Sequence, residues 1–175
     1  AALSQTLDER RYSGIIFTRA TVSVGDDIGY LPGTEEEKMT PWMGALEDNL
    51  EVLLKTDKGN GGWRSSATSD IVKSRISIKS MSFMRGRTFL NKFLIIDEAQ
   101  NLSPKQMKTL ITRAGPGTKV VCLGNIAQID TPYLTEGSSG LTYLVERLKG
   151  WAHAGHITLE RGERSRLAHW ASQAL

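Results

Sequence analysis

Three unbroken apolar runs constrain this chain more than anything else in it: Ile15-Ile16-Phe17, Phe93-Leu94-Ile95-Ile96 and Val120-Val121-Cys122-Leu123. Each is too short to be a helix and lacks the alternation of a strand with one wet face, so each reads as a strand buried on both sides. Residues 75–79 alternate like a half-exposed strand, and 156–159 read as one more short strand. Between the runs lie amphipathic helices. Leu3 and Leu7 sit one helical turn apart. Thr40 caps a helix that opens on Pro41 and carries Trp42, Leu46, Leu50, Leu53 and Leu54 as its apolar stripe. Ser103-Pro104-Lys105-Gln106 is a capping box, with Leu102 and Met107 as the staple, and predicts a helix ending near Ala114-Gly115. Residues 141–148 make a helix closed by Gly150. Ser165 caps a last one, with Leu167, Trp170, Ala171 and Ala174 facing inward. Buried strands alternating with such helices predict an α/β chain, a mostly parallel sheet between helical layers.

The 175 residues suffice for one domain, residues 1–175, and no internal repeat divides them. No apolar run is long enough to span a membrane. The single Cys122 excludes an intramolecular disulfide and points to a reducing cytoplasm. Charge is uneven although the net is only +3. Residues 23–51 hold eight acids and one base, Lys38; residues 71–96 hold six bases and no acid, among them Lys79, Arg85 and Arg87. Such a basic stretch serves either as a solvated face or as a surface that binds nucleic-acid phosphates.

The chemistry collects where the strands end. In a parallel sheet the carboxyl ends of the strands form the ligand crevice. One run there passes into Asp97-Glu98. An Asp in that place can hold hydrated Mg²⁺, and the neighbouring Glu can orient or deprotonate a water that attacks a phosphate. The next run passes into Gly124-Asn125-Ile126-Ala127-Gln128, where Gln128 could meet a γ-phosphate or a water and Asn125 the metal's hydration shell. Asn125 and Asp130 are equally what a plain turn would use. An early run ends in Thr18-Arg19. The run at 157–159 leads to Arg164, just ahead of a helix, where a cation could neutralise transferring phosphate charge or simply form a surface ion pair. Four strand ends thus carry polar or charged groups. One part is absent: no Gly-Lys dipeptide occurs anywhere, so the sequence contains no phosphate-binding loop of the nucleoside-triphosphatase type. That loop and the strand before it are expected upstream of Ala1.

The residues from Phe93 to Arg113, FLIIDEAQNLSPKQMKTLITR, resemble the PhoH family of P-loop ATPases. So do Arg85-Gly86-Arg87-Thr88, the stretch GNIAQIDTPYLTEGSSGLTYLVERLKG from Gly124 to Gly150, GERS at residues 162–165 and DIGYLPG at residues 27–33. The resemblance covers nearly the whole chain, and it is greatest to the PhoH part of proteins in which a PIN ribonuclease-like domain precedes the ATPase. It implies a three-layer α/β/α RecA-like core, here without its N-terminal strand and phosphate-binding loop. It implies ATP and Mg²⁺ as cofactors, hydrolysis coupled to RNA binding or unwinding, RNA cleavage by the fused PIN domain, and a homo-oligomer such as a hexameric ring. Carried over by position, Asp97 and Glu98 match the Walker B pair, Gln128 the glutamine of the helicase-like third motif, and Arg164 the arginine before the final helix. Arg19 and Asn125 complete the expected nucleotide site, and Lys79, Arg85 and Arg87 the expected RNA-binding surface. Asn125 departs from relatives that carry Asp after the glycine. Without the loop, the 175 residues alone are expected to be inactive. Two other readings of the sequence stay open. One is a stress or phosphate-starvation regulator that binds nucleotide as a switch; the other is a non-enzymatic RNA-binding scaffold.

Overall fold

Leu94 and Ile96 are wholly shielded from solvent, and Phe93 nearly so, because the strand that carries them lies inside a sheet covered on both faces. A computed structural model describes residues 1–20, 44, 48–50, 52, 74–81, 84, 86–160 and 165–174. Its sheet has four parallel strands: β1 (Gly14–Arg19), β2 (Ile76–Ile78), β3 (Lys92–Asp97) and β4 (Lys119–Cys122), in the order β2-β1-β3-β4. β1 and β3 pair over six residues, from Gly14 with Lys92 to Arg19 with Asp97. β4 adds to β3 in register from Phe93 with Lys119 to Ile96 with Cys122. The fold is the RecA-like α/β arrangement expected from the sequence.

Alternation along the strands sends successive side chains to opposite layers. Ile16, Leu94 and Ile96 pack with Leu102, Met107 and Leu110 on one face, where helix α1 (Pro104–Ile111) lies and where Leu141 and Leu144, from the first part of helix α2 (Gly140–Leu148), also pack. Ile15 and Phe93 pack with Leu3 and Leu50 on the other. There Tyr12 meets Phe93 edge-on, with ring centroids 5.3 Å apart. Truncating Leu94 or Ile96 to Ala should cost about 2–5 kcal/mol, the usual range for a packed core.

α1 starts where its sequence says it should. Ser103 Oγ accepts from Gln106 N–H, and the Gln106 side chain accepts from Ser103 N–H at 2.8 Å. α1 stops at Ile111 and not near Ala114, because Ala114 is taken into a bridge with Phe89. α2 opens on Gly140 for want of space: a Cβ there would lie 2.7 Å from Leu102 O and 2.8 Å from Ser103 O. The first helical segment is a π-helical turn, Ser4–Asp8. Residues 44, 48–50 and 52 are helical, whereas the expected helix start at Thr40-Pro41 and most of the acidic segment lie outside the described residues.

The chain divides into two compact units, Ala1–Leu144 and Val145–Leu175. The second holds the end of α2 and helix α3 (Arg166–Ala174), and in it Trp151 stacks edge-on against His153. Two expectations fail here. Residues 156–159 form no strand: a strand exists only by pairing, and Ile157 and Leu159 instead stand 83% and 86% exposed. Leu167 and Trp170 of α3 are likewise exposed, not inward. Among the described residues, no helix is long and apolar enough to cross a membrane.

Candidate functional site

Parallel pairing in register brings the last residues of neighbouring strands to one level. Arg19 is the direct partner of Asp97, and Ala20 N–H donates to Asp97 O at 2.9 Å. The guanidinium of Arg19 then spans both acids: Nη2 lies 2.8 Å from Glu98 Oε1, and Nε lies 3.7 Å from Asp97 Oδ2. All three side chains are about one-third exposed, so the site opens to solvent and the pairing is partly screened. Burial nevertheless pushes the Asp97 carboxyl above its usual range, an effect that the Arg19 charge opposes.

Glu98 leaves the strand in the left-handed conformation, φ 52° and ψ 37°. An L-residue adopts that region at a cost of about 1–2 kcal/mol. The turn it makes leads into a single 3₁₀ turn, Ala99–Asn101, in which all three residues are buried. Two of these carry amides that lie within the run resembling the family but to which the sequence alone assigns no role. Gln100, with no exposed surface, donates from Nε2 to Glu98 Oε2 at 2.7 Å and to Gln128 O at 2.8 Å. Its Oε1 accepts from Asn125 N–H at 3.2 Å. Asn101 Oδ1 accepts from the N–H groups of Asp130 and Thr131, at 2.8 and 3.3 Å. Ser139 Oγ donates to Gln100 O at 2.8 Å. The loop after β4 is therefore bolted, through two buried amides, to the segment that carries the acid pair. A buried amide in a polar turn follows no periodicity, so pattern alone does not reveal it.

The structure brings Arg19, Asp97, Glu98 and the 124–128 turn to the carboxyl end of the sheet. Asn125 is engaged as a turn residue, its Oδ1 accepting from Ala127 N–H at 3.1 Å, while its carbonyl accepts from Gln128 N–H at 2.9 Å. Gln128 is exposed. Of the four strand ends expected to carry polar groups, three are strands; the fourth is not, and Arg164 lies outside the described residues. Lys79 follows β2 at this same end, its N–H donating to Phe17 O at 3.0 Å. Arg87 is exposed and leads toward Phe89, whose bridge to Ala114 precedes β3 and β4 at the opposite end of the sheet. Arg85 lies outside the described residues. Lys79 and Arg87, the described members of that set, thus lie at opposite ends of the strands.

The PhoH model, described as "PhoH-like protein", matches residues 1–175. The chain is 45% identical over its whole length to "Protein PhoH2" of Bacillus subtilis, covering 39% of that protein. It is 36% identical over its whole length to "Protein PhoH2" of Mycolicibacterium smegmatis, covering 38% of it. A "PhoH-like protein" of Bacillus subtilis is 39% identical over 84% of the chain and 43% of that relative. The chain spans about two-fifths of the length of these relatives. With a four-stranded parallel sheet, an acid pair at the end of β3 and a family match over every residue, the chain belongs to the PhoH family.

Proposed function

We propose that these residues form the hydrolytic part of an ATPase that couples ATP turnover to RNA binding or unwinding. The observation that carries this reading is the placing of Asp97 and Glu98 at the mouth of a central parallel strand, between the end of β1 with Arg19 and the turn with Gln128. Mg²⁺ is usually held by one or two carboxylates together with substrate phosphates and retained waters. The residues fit that habit. Asp97 is a partly exposed carboxylate at the crevice, and among the described residues no group of three or more His, Cys, Asp or Glu side chains forms a closed cage. Bound there, the ion would neutralise phosphate charge.

The chain's own groups do the rest. Asp97 holds the hydration shell. Glu98 orients the attacking water and takes its proton. A carboxylate offers about four lone-pair sites, and Arg19 and Gln100 use one on each oxygen, so each oxygen keeps one to accept with. Gln128 can reach the γ-phosphate or the water, and Arg164 is the finger that neutralises the transferring group. The phosphate cradle, with its Lys and hydroxyl, we assign to the part of the protein outside these residues. There too we place a PIN domain, and the active form is a cytoplasmic homo-oligomer, with Lys79, Arg85 and Arg87 binding RNA.

The test is ATP turnover by the full-length protein, with and without RNA. Glu98→Gln should retain nucleotide binding and slow hydrolysis by about 10²-fold, a typical loss for one proton-transferring group. Lost binding with unchanged turnover per bound nucleotide contradicts the role. Nucleotide binding without turnover would make the protein a switch, and RNA binding indifferent to nucleotide would make it a scaffold.

A further inference from the structure

We propose that Gln100 is a positioning residue that makes the Glu98 carboxylate and the turn carrying Gln128 move as one unit; this rests on the hydrolytic reading above. Three observations support it. Gln100 has no exposed surface, so its amide meets protein only. Its two ends face opposite partners. Nε2 lies between two acceptors, the Glu98 carboxylate and the Gln128 carbonyl, while Oε1 faces the Asn125 N–H donor. Rotating the amide by half a turn would set oxygen against oxygen on one side and donor against donor on the other, so the network itself fixes the orientation. Finally, the main chain of Gln100 is held as well, its carbonyl accepting from Ser139 Oγ.

The consequence is mechanical. A shift of the 125–128 turn, for instance when Gln128 meets a ligand, draws on the amide that also holds Glu98 Oε2. Glu98 cannot rotate to a different rotamer without breaking a charge-assisted hydrogen bond, which is stronger than a neutral one. The acid and the turn therefore report to one another through a side chain that touches neither substrate nor metal.

Two variants in the full-length protein test this. Gln100→Glu keeps the shape and the acceptor for Asn125 N–H but removes both donations. Gln100→Met keeps the length and removes every side-chain hydrogen bond. Each should lower kcat for ATP by about tenfold or more, as loss of an outer supporting partner commonly does, with KM within about twofold. Combined with Glu98→Gln, either should add less than about twofold, because the effect passes through Glu98. Hydrogen exchange supplies a readout free of catalysis: the amides of Asn125 and Gln128 should exchange faster in Gln100→Met. Multiplying losses in the double variant, a raised KM with unchanged kcat, or unchanged exchange at Asn125 would each overturn the proposal. A wild-type protein that turns over no ATP would overturn the hydrolytic reading instead, and the exchange comparison then decides the linkage alone.

Discussion

Gly124 is where β4 gives way to the bolted turn, and substituting it with Ala should strain the link that Gln100 makes. A Cβ at that position would lie 2.5 Å from Gln100 Oε1, 2.9 Å from Leu141 Cδ2 and 3.1 Å from Gln100 N. The backbone there is not in the left-handed region, so space alone opposes the methyl. Two responses are open. If Gln100 stays, the overlap is shared among buried neighbours, and such overpacking costs about 1–3 kcal/mol. If Gln100 swings away, it gives up three hydrogen bonds, one to a carboxylate, at about 1 kcal/mol each and more for the charged one. The cheaper route sets the outcome, about 1–3 kcal/mol. With a urea dependence of about 1–3 kcal/mol per molar, the denaturation midpoint should fall by about 1 M. ATP turnover should fall with it, because either response displaces the amide that holds Glu98. Gly137→Ala is the control: nothing lies within 4 Å of its Cβ, so it should be neutral within about 0.5 kcal/mol. A Gly124→Ala protein no less stable than the Gly137→Ala protein would refute the packing on which the Gln100 linkage rests.

Asp97→Asn should raise stability at neutral pH while removing activity. Burial raises the folded carboxyl's pKa above 3.8, so the native state holds the proton more tightly than the unfolded chain and wild-type stability falls as pH rises through that window. The advantage of the Asn variant should therefore be largest above the window and shrink below pH 3.8, read from denaturant midpoints across pH; a variant less stable at pH 7 would mean that the Arg19 pair outweighs burial. Neutralising Arg85 and Arg87 together should flatten the salt dependence of RNA binding by about 0.7–0.9 of a slope unit for each phosphate they had neutralised. An unchanged slope assigns them to structural pairs. The 175 residues alone should fail to bind a fluorescent ATP analogue with Mg²⁺ that the full-length protein binds, since two carboxylates without a cradle repel a triphosphate; micromolar binding by the chain alone would move the nucleotide site elsewhere.

Whatever a residue's own chemistry or a period determines is legible in the sequence. The run 93–96 names a strand because four apolar residues without alternation have few other uses, and the acids after it follow to the strand's mouth. Ser103 and Gln106 announce a helix because the capping box is local. The short run at 156–159 misleads for the same reason. Apolarity suggests a strand, but pairing makes one, and pairing is a long-range fact. The exposed Leu167 and Trp170 repeat the lesson, since a stripe shows only that a face could be covered. The linking role of Gln100 and Asn101 is invisible for a different reason, although both lie within the run that resembles the family. Their partners lie about 25–30 residues away in sequence, and nothing in a Gln-Asn pair after an acidic turn distinguishes a buried bolt from a wet loop.

The left-handed Glu98 explains why the bolt is needed. Among the described residues, Arg10, Asn91 and Glu98 are the non-glycine positions with positive φ. Asn tolerates that region through its own short side chain; Glu has no such compensation. A glycine at position 98 would relieve the strain and discard the carboxylate. Keeping the carboxylate means that neighbours must over-determine the turn, and strained conformations persist under that condition at functional sites. Here the neighbours are countable. Asn101 N–H donates back to Glu98 O at 3.0 Å, and Ala99 N–H donates to Leu123 O at 2.8 Å. Arg19 and Gln100 hold the two carboxylate oxygens. Together these four bonds tie the strained residue and its neighbour to β1, to the 3₁₀ turn and to the chain leaving β4. The acid is thus fixed by the joint geometry of the strand ends, which is why its direction depends on a residue as far along the chain as Gln128.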